Sequence, residues 1–304
     1  SEPLVLAAAA GERPLGHVCR DDARMARLAD ALRFFAPEIP VLSFPAWDCL
    51  PYDRVSPHRD IIARRIETLT ALARGGFQGI LLTTVNAITQ RVPPAEAFEG
   101  RALLIEAGDE APPERINAFF AANGYQRVDT VGEPGEYAWR GGILDVYPPA
   151  EEEPLRLDFF GDEVESLRHF DPLSQRTTGE ARRLALLPVN EVFLDETGIE
   201  NFRSGYRALF GAVRDEDPLY ESISAGRPHP GMEHWLPLFY QRSVPLLDYL
   251  PEAAVSLDPQ AEEARAARWE TIDDFYQARQ QLLGKEDTGG WSDKPLPPER
   301  LYHD

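Results

Sequence analysis

The side chains best suited to chemistry in this chain are arginines and a ring on neighbouring strand-like stretches. The chemistry they suit is recognition rather than bond cleavage. In "LRLDFF" (155–160) successive side chains point to opposite faces, so Arg156, Asp158 and Phe160 share one side while Leu155, Leu157 and Phe159 share the other. The second set is a core face. The first combines a fork of donors, a carboxylate and a ring beside a turn, and Arg140 in "YAWRGG" adds a second outward guanidinium. Arginine and aromatic residues are the usual anchors of protein interfaces, because a planar guanidinium and a rigid ring gain contact at low entropic cost. The alternative is purely structural: Arg156 pairs with Asp158 or Glu165, and Phe160 packs the turn. The residues alone leave both open.

A search for catalytic groupings returns little. A phosphate loop needs G-x-x-x-x-G-K-[ST], and "AAAAGERPLGH" has glycines without the Lys-Ser/Thr. "GEPGEY" (132–137) lacks dinucleotide spacing and precedes a strand, which makes it a turn, and no serine stands in a G-x-S-x-G elbow. Cys19 and Cys49 are the 2 cysteines, too few for a disulfide framework or a metal knuckle. His229 and His234 come nearest to a histidine pair, but their spacing is poor for a metal, so no metal site is expected. Asp48 and Asp53 flank "CLPY" and read as turn caps around prolines. Glu151–Glu153 reads as a solvated loop.

The elements that must position these groups alternate in the first third. "GHVC" (Gly16–Cys19), "PVLSF" (Pro40–Phe44) and "QGILLTT" (Gln78–Thr84) are strand-like. Between the first two runs a helix with Met25, Leu28, Leu32 and Phe35 at helical spacing, behind Asp21 or Asp22 as N-cap. Between the second and third runs one with Ile62, Ile66, Leu69 and Leu72, stopped by Gly75–Gly76. This β-α-β-α-β order predicts a parallel sheet with helical crossovers. "PLVLAAAA" lacks the basic flank of a signal peptide and reads as a helix or a chain edge.

After Pro93–Pro94 the character changes. A strand "RALLIEAG" and a proline-entered helix "PPERINAFFAANGY" lead into strands as far as Phe170, with Gly161–Asp162 as a two-residue hairpin loop. Residues 102–186 therefore read as an α+β unit inserted between 1–101 and 187–304. In the last part a helix near Ile199–Leu209 precedes the acidic loop "RDEDP". The apolar "HWLPLFY", the strand "AAVSL" (Ala253–Leu257) and a long polar helix follow, and "KEDTGGWSDKPLPPER" reads as a linker.

With 304 residues, 43% hydrophobic content and a formal net charge of −20, the composition is that of a folded globular chain of about two domains. A carboxylate excess repels duplex DNA, so strong DNA binding is not expected. No stretch approaches the roughly 20 apolar residues of a spanning helix, and a cytoplasmic location is expected.

Three longer segments carry a family likeness: "FPAWDCLPYDRVSPHRDIIARRIETL" (44–69), 135–177 around "GEYAWRGGILDVYPP" and "LRLDFFGDEVESLRHFDPLSQRT", and 231–251 with "GMEHWLPLFY" and "LLDYLP". Together they resemble the N-terminal portion of the bacterial transcription-repair coupling factor (Mfd) family and, more distantly, the excision-repair protein UvrB. The resemblance implies a degenerate P-loop, helicase-like α/β domain, split by an inserted UvrA-binding domain, with polymerase-binding and DNA-translocating parts beyond residue 304. It also implies that Arg140, Arg156 and Phe160 match positions that bind UvrA, and that other domains of the full-length protein mask the same surface. The departures from UvrB matter equally. Asp258 is followed by Pro259 where UvrB continues with a Glu, the phosphate loop is missing, and the stretch between Tyr52 and Ile61 is too short for a damage-probing hairpin. The expectation is a bacterial adaptor that is not an enzyme and needs no cofactor; the rival is a vestigial nucleotide-binding or hydrolase domain. Truncating a central anchor typically costs about 2 kcal/mol or more, so replacing Arg156 or Phe160 by alanine is expected to weaken UvrA binding at least tenfold, with melting unchanged.

Overall fold

The computed structural model describes residues 2–213, 217–283 and 294–304. The chain begins with α1 (Glu2–Ala10), β1 (Leu15–Cys19), α2 (Asp22–Phe35), β2 (Val41–Phe44), α3 (Arg59–Ala73), β3 (Ile80–Thr84) and the single turn α4 (Val85–Ile88). It continues through β4 (Leu103–Glu106), α5 (Pro113–Ala122), β5 (Gln126–Arg127), β6 (Glu136–Arg140), β7 (Ile143–Val146), β8 (Leu155–Phe160), β9 (Glu163–Phe170), β10 (Thr177–Ala181) and β11 (Arg183–Leu186). Then come α6 (Glu196–Phe210), α7 (Pro218–Ser224), β12 (Ala254–Leu257), α8 (Ala261–Leu283) and α9 (Pro298–Leu301).

The predicted alternation produces a four-stranded sheet in the order β12-β1-β3-β2, every neighbour parallel. β1 and β3 are the inner strands and are buried along their whole length, as their unbroken apolar runs require. Asp21 caps α2, its Oδ1 accepting from Arg24 N at 2.7 Å. Met25, Leu28 and Leu32 face the sheet, but Phe35, expected on the same face, is 51% exposed because the helix ends there. α3 buries Ile62, Ile66, Leu69 and Leu72, and Gly75 and Gly76 supply the left-handed φ of 73° and 72° that stops it.

The middle of the chain builds a different layer. Strands β10-β9-β8-β7-β6-β5 form one sheet, antiparallel except for the short β5–β6 pair. Ile116 and Phe120 of α5 pack on one face of it, against Leu144, Leu157 and Leu167. Separately, β4 and β11 pair antiparallel, Leu103 opposite Leu186, which brings the start and end of this stretch side by side.

The apolar "HWLPLFY" begins within a 3-10 helix, Met232–Leu238, and its Trp235 is buried. One reading from composition needs correction. The C-terminal "linker" is only partly open to comment, since 284–293 lie outside the described residues. Its described end is packed structure: Leu296, Leu301 and Tyr302 are buried, and Arg91 N donates to Leu301 O at 2.8 Å. Prolines there set an extended path, and isolated apolar residues with no periodicity still find the core. Of the acidic loop, residues 214–216 lie outside the described residues, while Asp217 caps α7 and accepts from Tyr206 Oη at 2.5 Å.

Candidate protein-docking face

Strand register decides which side chains meet. Trp139, Leu144, Leu157, Leu167 and Ala181 lie opposite one another across β6 to β10 and all join the core beneath α5. The rows on either side must then point the other way. One is Ala138, Asp145, Arg156, Arg168 and Glu180; the next is Arg140, Ile143, Asp158 and Ser166. The outer face of a sheet in an acidic protein thus carries three arginines.

Phe160 ends β8 and is 75% exposed, while its neighbour Phe159 turns inward to lie 5.3 Å from the Trp139 ring. That separation is the alternation of β8 itself; across from it β9 carries an extra residue, since Asp158 pairs with Ser166 but Phe159 with Val164. Gly161, at φ 65°, then makes the tight loop whose first position favours glycine. Trp139 sits at the margin of the core, its Nε1 donating to Asn117 Oδ1 at 3.0 Å.

The two arginines differ from each other. Arg140 is exposed, and its Nη2 donates to Asp129 O at 2.7 Å and Thr130 Oγ1 at 3.1 Å, both neutral acceptors. Arg156 holds Asp145 in a fork, Nε to Oδ1 at 2.6 Å and Nη2 to Oδ2 at 2.8 Å, and its guanidinium carbon lies 4.7 Å from the Phe170 ring centroid. That hydrogen-bonded carboxylate raises its pKa above the ordinary guanidinium value. The partner is Asp145, not Asp158 or Glu165, because register sets Asp145 directly opposite; Asp158 instead takes Arg168 and Ser166. The Asp145 side chain is 1% exposed. Removing Arg156 would strand a sealed carboxylate, so a loss of stability is expected for that residue in place of unchanged melting.

Beneath Arg156 lies a small second core that the sequence did not announce. Phe170, Val131 and Ala138 are buried together on the outer face, under the segment 128–131 and the turn 171–176. Arg140 ties down the first cover and Arg156 the second, through a long contact from Nη1 to Gln175 O at 3.4 Å. Asp145 was the available signal, an acidic residue inside the apolar strand "ILDV".

The C-terminal ends of the parallel strands, where open α/β sheets bind ligands, look different. Asp258, just past β12, is buried and receives Arg24 Nε at 3.1 Å, and Arg24 also pairs with Glu2. Glu2, His17 and Asp258 form the one cluster of metal-type donors among the described residues, and a guanidinium already bridges its two carboxylates.

The model of the UvrB interaction domain family matches residues 103–192, the stretch that carries the whole outer face. Over most of its length the chain is 39% identical, across 264 residues (86% of it), to the transcription-repair-coupling factor of Haemophilus influenzae, and 38% identical over 258 residues to that of Escherichia coli. The counterpart from Myxococcus xanthus is 33% identical over 293 residues. The chain is a member of the transcription-repair-coupling factor family that carries a UvrB interaction domain. It spans 22% of the length of the first two relatives and 24% of the third. No helix among the described residues is long and apolar enough to cross a membrane.

Proposed function

We propose that this chain is a non-catalytic docking module of transcription-coupled repair in the bacterial cytoplasm, which recruits UvrA to stalled RNA polymerase. In this reading residues 102–186 are an inserted UvrA-binding domain, and 1–101 with 187–304 form one split, degenerate helicase-like domain. Phe160, Arg140 and Arg156 are the contact residues. Other domains of the longer protein cover the same face until it is needed.

The observation that carries the reading is Phe160. A phenyl ring left 75% exposed at the end of a strand, on the same sheet face as an exposed arginine whose acceptors are neutral, has the composition of an interface anchor. The test is a titration of UvrA with the wild-type chain and the Phe160→Ala variant. At least a tenfold loss of affinity with unchanged melting is expected; wild-type affinity would remove Phe160 from the site.

A further inference from the structure

At the opposite end of the outer face the turn from β9 to β10 presents Leu173, which at 94% is the most exposed large apolar side chain among the described residues. This turn is not a loose tip. Ser174 N donates to Asp171 Oδ1 at 2.6 Å, Gln175 N to Asp171 O at 2.8 Å, and Asp171 N to Arg176 O at 2.9 Å. Gln175 Nε2 donates to Val131 O and Pro172 O, at 2.9 and 2.8 Å. Gln175 itself takes a left-handed φ of 58°, a strained choice for a residue with a side chain. Arg156 reaches its carbonyl from below, and buried Phe170 underlies the turn. The chain thus orders the turn 171–176 around an apolar side chain that is left 94% exposed.

We propose that Leu173 is a second apolar anchor of the UvrA-docking face. Arg156 and Phe160 stand four positions apart on β8, about 13 Å of strand. The face therefore has a phenyl ring at one end, a leucine at the other, and a polar middle of Arg140, Arg156, Asp158 and Arg168. The partner surface that fits it has two apolar sockets flanking a patch of hydrogen-bond acceptors, with a carboxylate facing Arg140. Arg156 supports this arrangement by holding the turn that carries Leu173. The inference rests on the docking face proposed above and extends it by one contact.

The experiment compares UvrA binding by calorimetry for the wild-type chain and for Leu173→Glu, Leu173→Ala, Phe160→Ala and, as a control on the other domain, Phe34→Glu. Phe34 is 80% exposed on α2. At least a tenfold loss is expected for Leu173→Glu and about threefold for Leu173→Ala, with no loss for Phe34→Glu and no change in melting for any. Wild-type affinity in Leu173→Glu beside a weakened Phe160→Ala overturns the extension and leaves the docking face standing. Wild-type affinity in both overturns the docking face and the extension together. Equal losses in Leu173→Glu and Phe34→Glu overturn the extension as well, since added charge alone then explains the effect.

Discussion

The α/β body and the six-stranded sheet treat arginine in opposite ways. In the body, Arg65 of α3 is fully buried against Glu191, with Nε to Oε1 at 2.5 Å and Nη2 to Oε2 at 3.0 Å. Its Nη1 donates to Pro45 O at 2.9 Å, the guanidinium lies 4.0 Å from the Phe44 ring centroid, and Trp47 Nε1 donates to the same carboxylate. Each of its three nitrogens donates a hydrogen bond, and the pair ties the first third of the chain to the segment after β11. On the sheet, Arg140 stays exposed, and Arg156, forked to Asp145 and lying over Phe170, keeps 18% of its side chain exposed. The difference teaches how the same residue type divides labour. A sealed, fully satisfied guanidinium fixes one arrangement of the core, whereas one at the rim remains available to another molecule.

The largest effect should come from breaking the sealed pair. Arg65→Ala leaves Glu191 charged in the core, and a cost of about 3–5 kcal/mol is expected, on the order of 10 °C in melting temperature. A fall of only one or two degrees would mean that water reaches the pair and that the contrast between the two regions is overstated.

Next comes a pH effect confined to the body. Burial lowers the His234 pKa to about 4, from an ordinary value of 6.5. The unfolded chain therefore takes a proton that the folded chain refuses, and stability present above pH 6.5 is lost as pH falls toward 4. The limit is about 3 kcal/mol. His17 and His303, also lowered chiefly by burial, act in the same direction. Glu233, raised by its burial, opposes them because the folded state holds its proton more readily. Chemical denaturation of wild type between pH 7 and 5 should show a steeper loss than His234→Phe does; equal slopes would assign the loss elsewhere.

Smaller again is the cost of opening the half-closed arginine. Arg156→Ala should destabilise by about 2 kcal/mol, less than the sealed pair because its side chain keeps 18% exposure. It should weaken UvrA binding as well, whereas Phe160→Ala weakens binding alone. Identical melting of the two variants would place Asp145 in contact with water.

The smallest expected effect is none. ATP with magnesium should leave the melting temperature where it is, because Arg24 already occupies Asp258 and the sequence carries no phosphate loop. Ligand that binds the native state must raise it by mass action, so a rise of several degrees at millimolar ATP would restore the nucleotide-binding rival.

Much of the architecture was legible in the residues. The parallel strands and their helices follow from apolar runs and helical spacing, which are local and periodic. The outward set Arg156, Asp158 and Phe160 follows from alternation along one strand. Beyond the reach of such patterns lay the Arg65–Glu191 pair, 126 positions apart in sequence, and the packed end at Leu296, Leu301 and Tyr302, where no period marks burial. Register between strands also had to be seen, since it alone selected Asp145 as the partner of Arg156.

The sequence by itself determined most of the strands and helices and the alternation along them, because those choices depend on neighbours a few residues away along the chain. Only the tertiary structure decided which charges are spent inside and which remain at the surface, because partners are assigned by register and packing between segments far apart in sequence. Arg156 and Phe160, four positions apart on one strand, show both halves of this: the same alternation turns both outward, and a carboxylate from the next strand closes over only one.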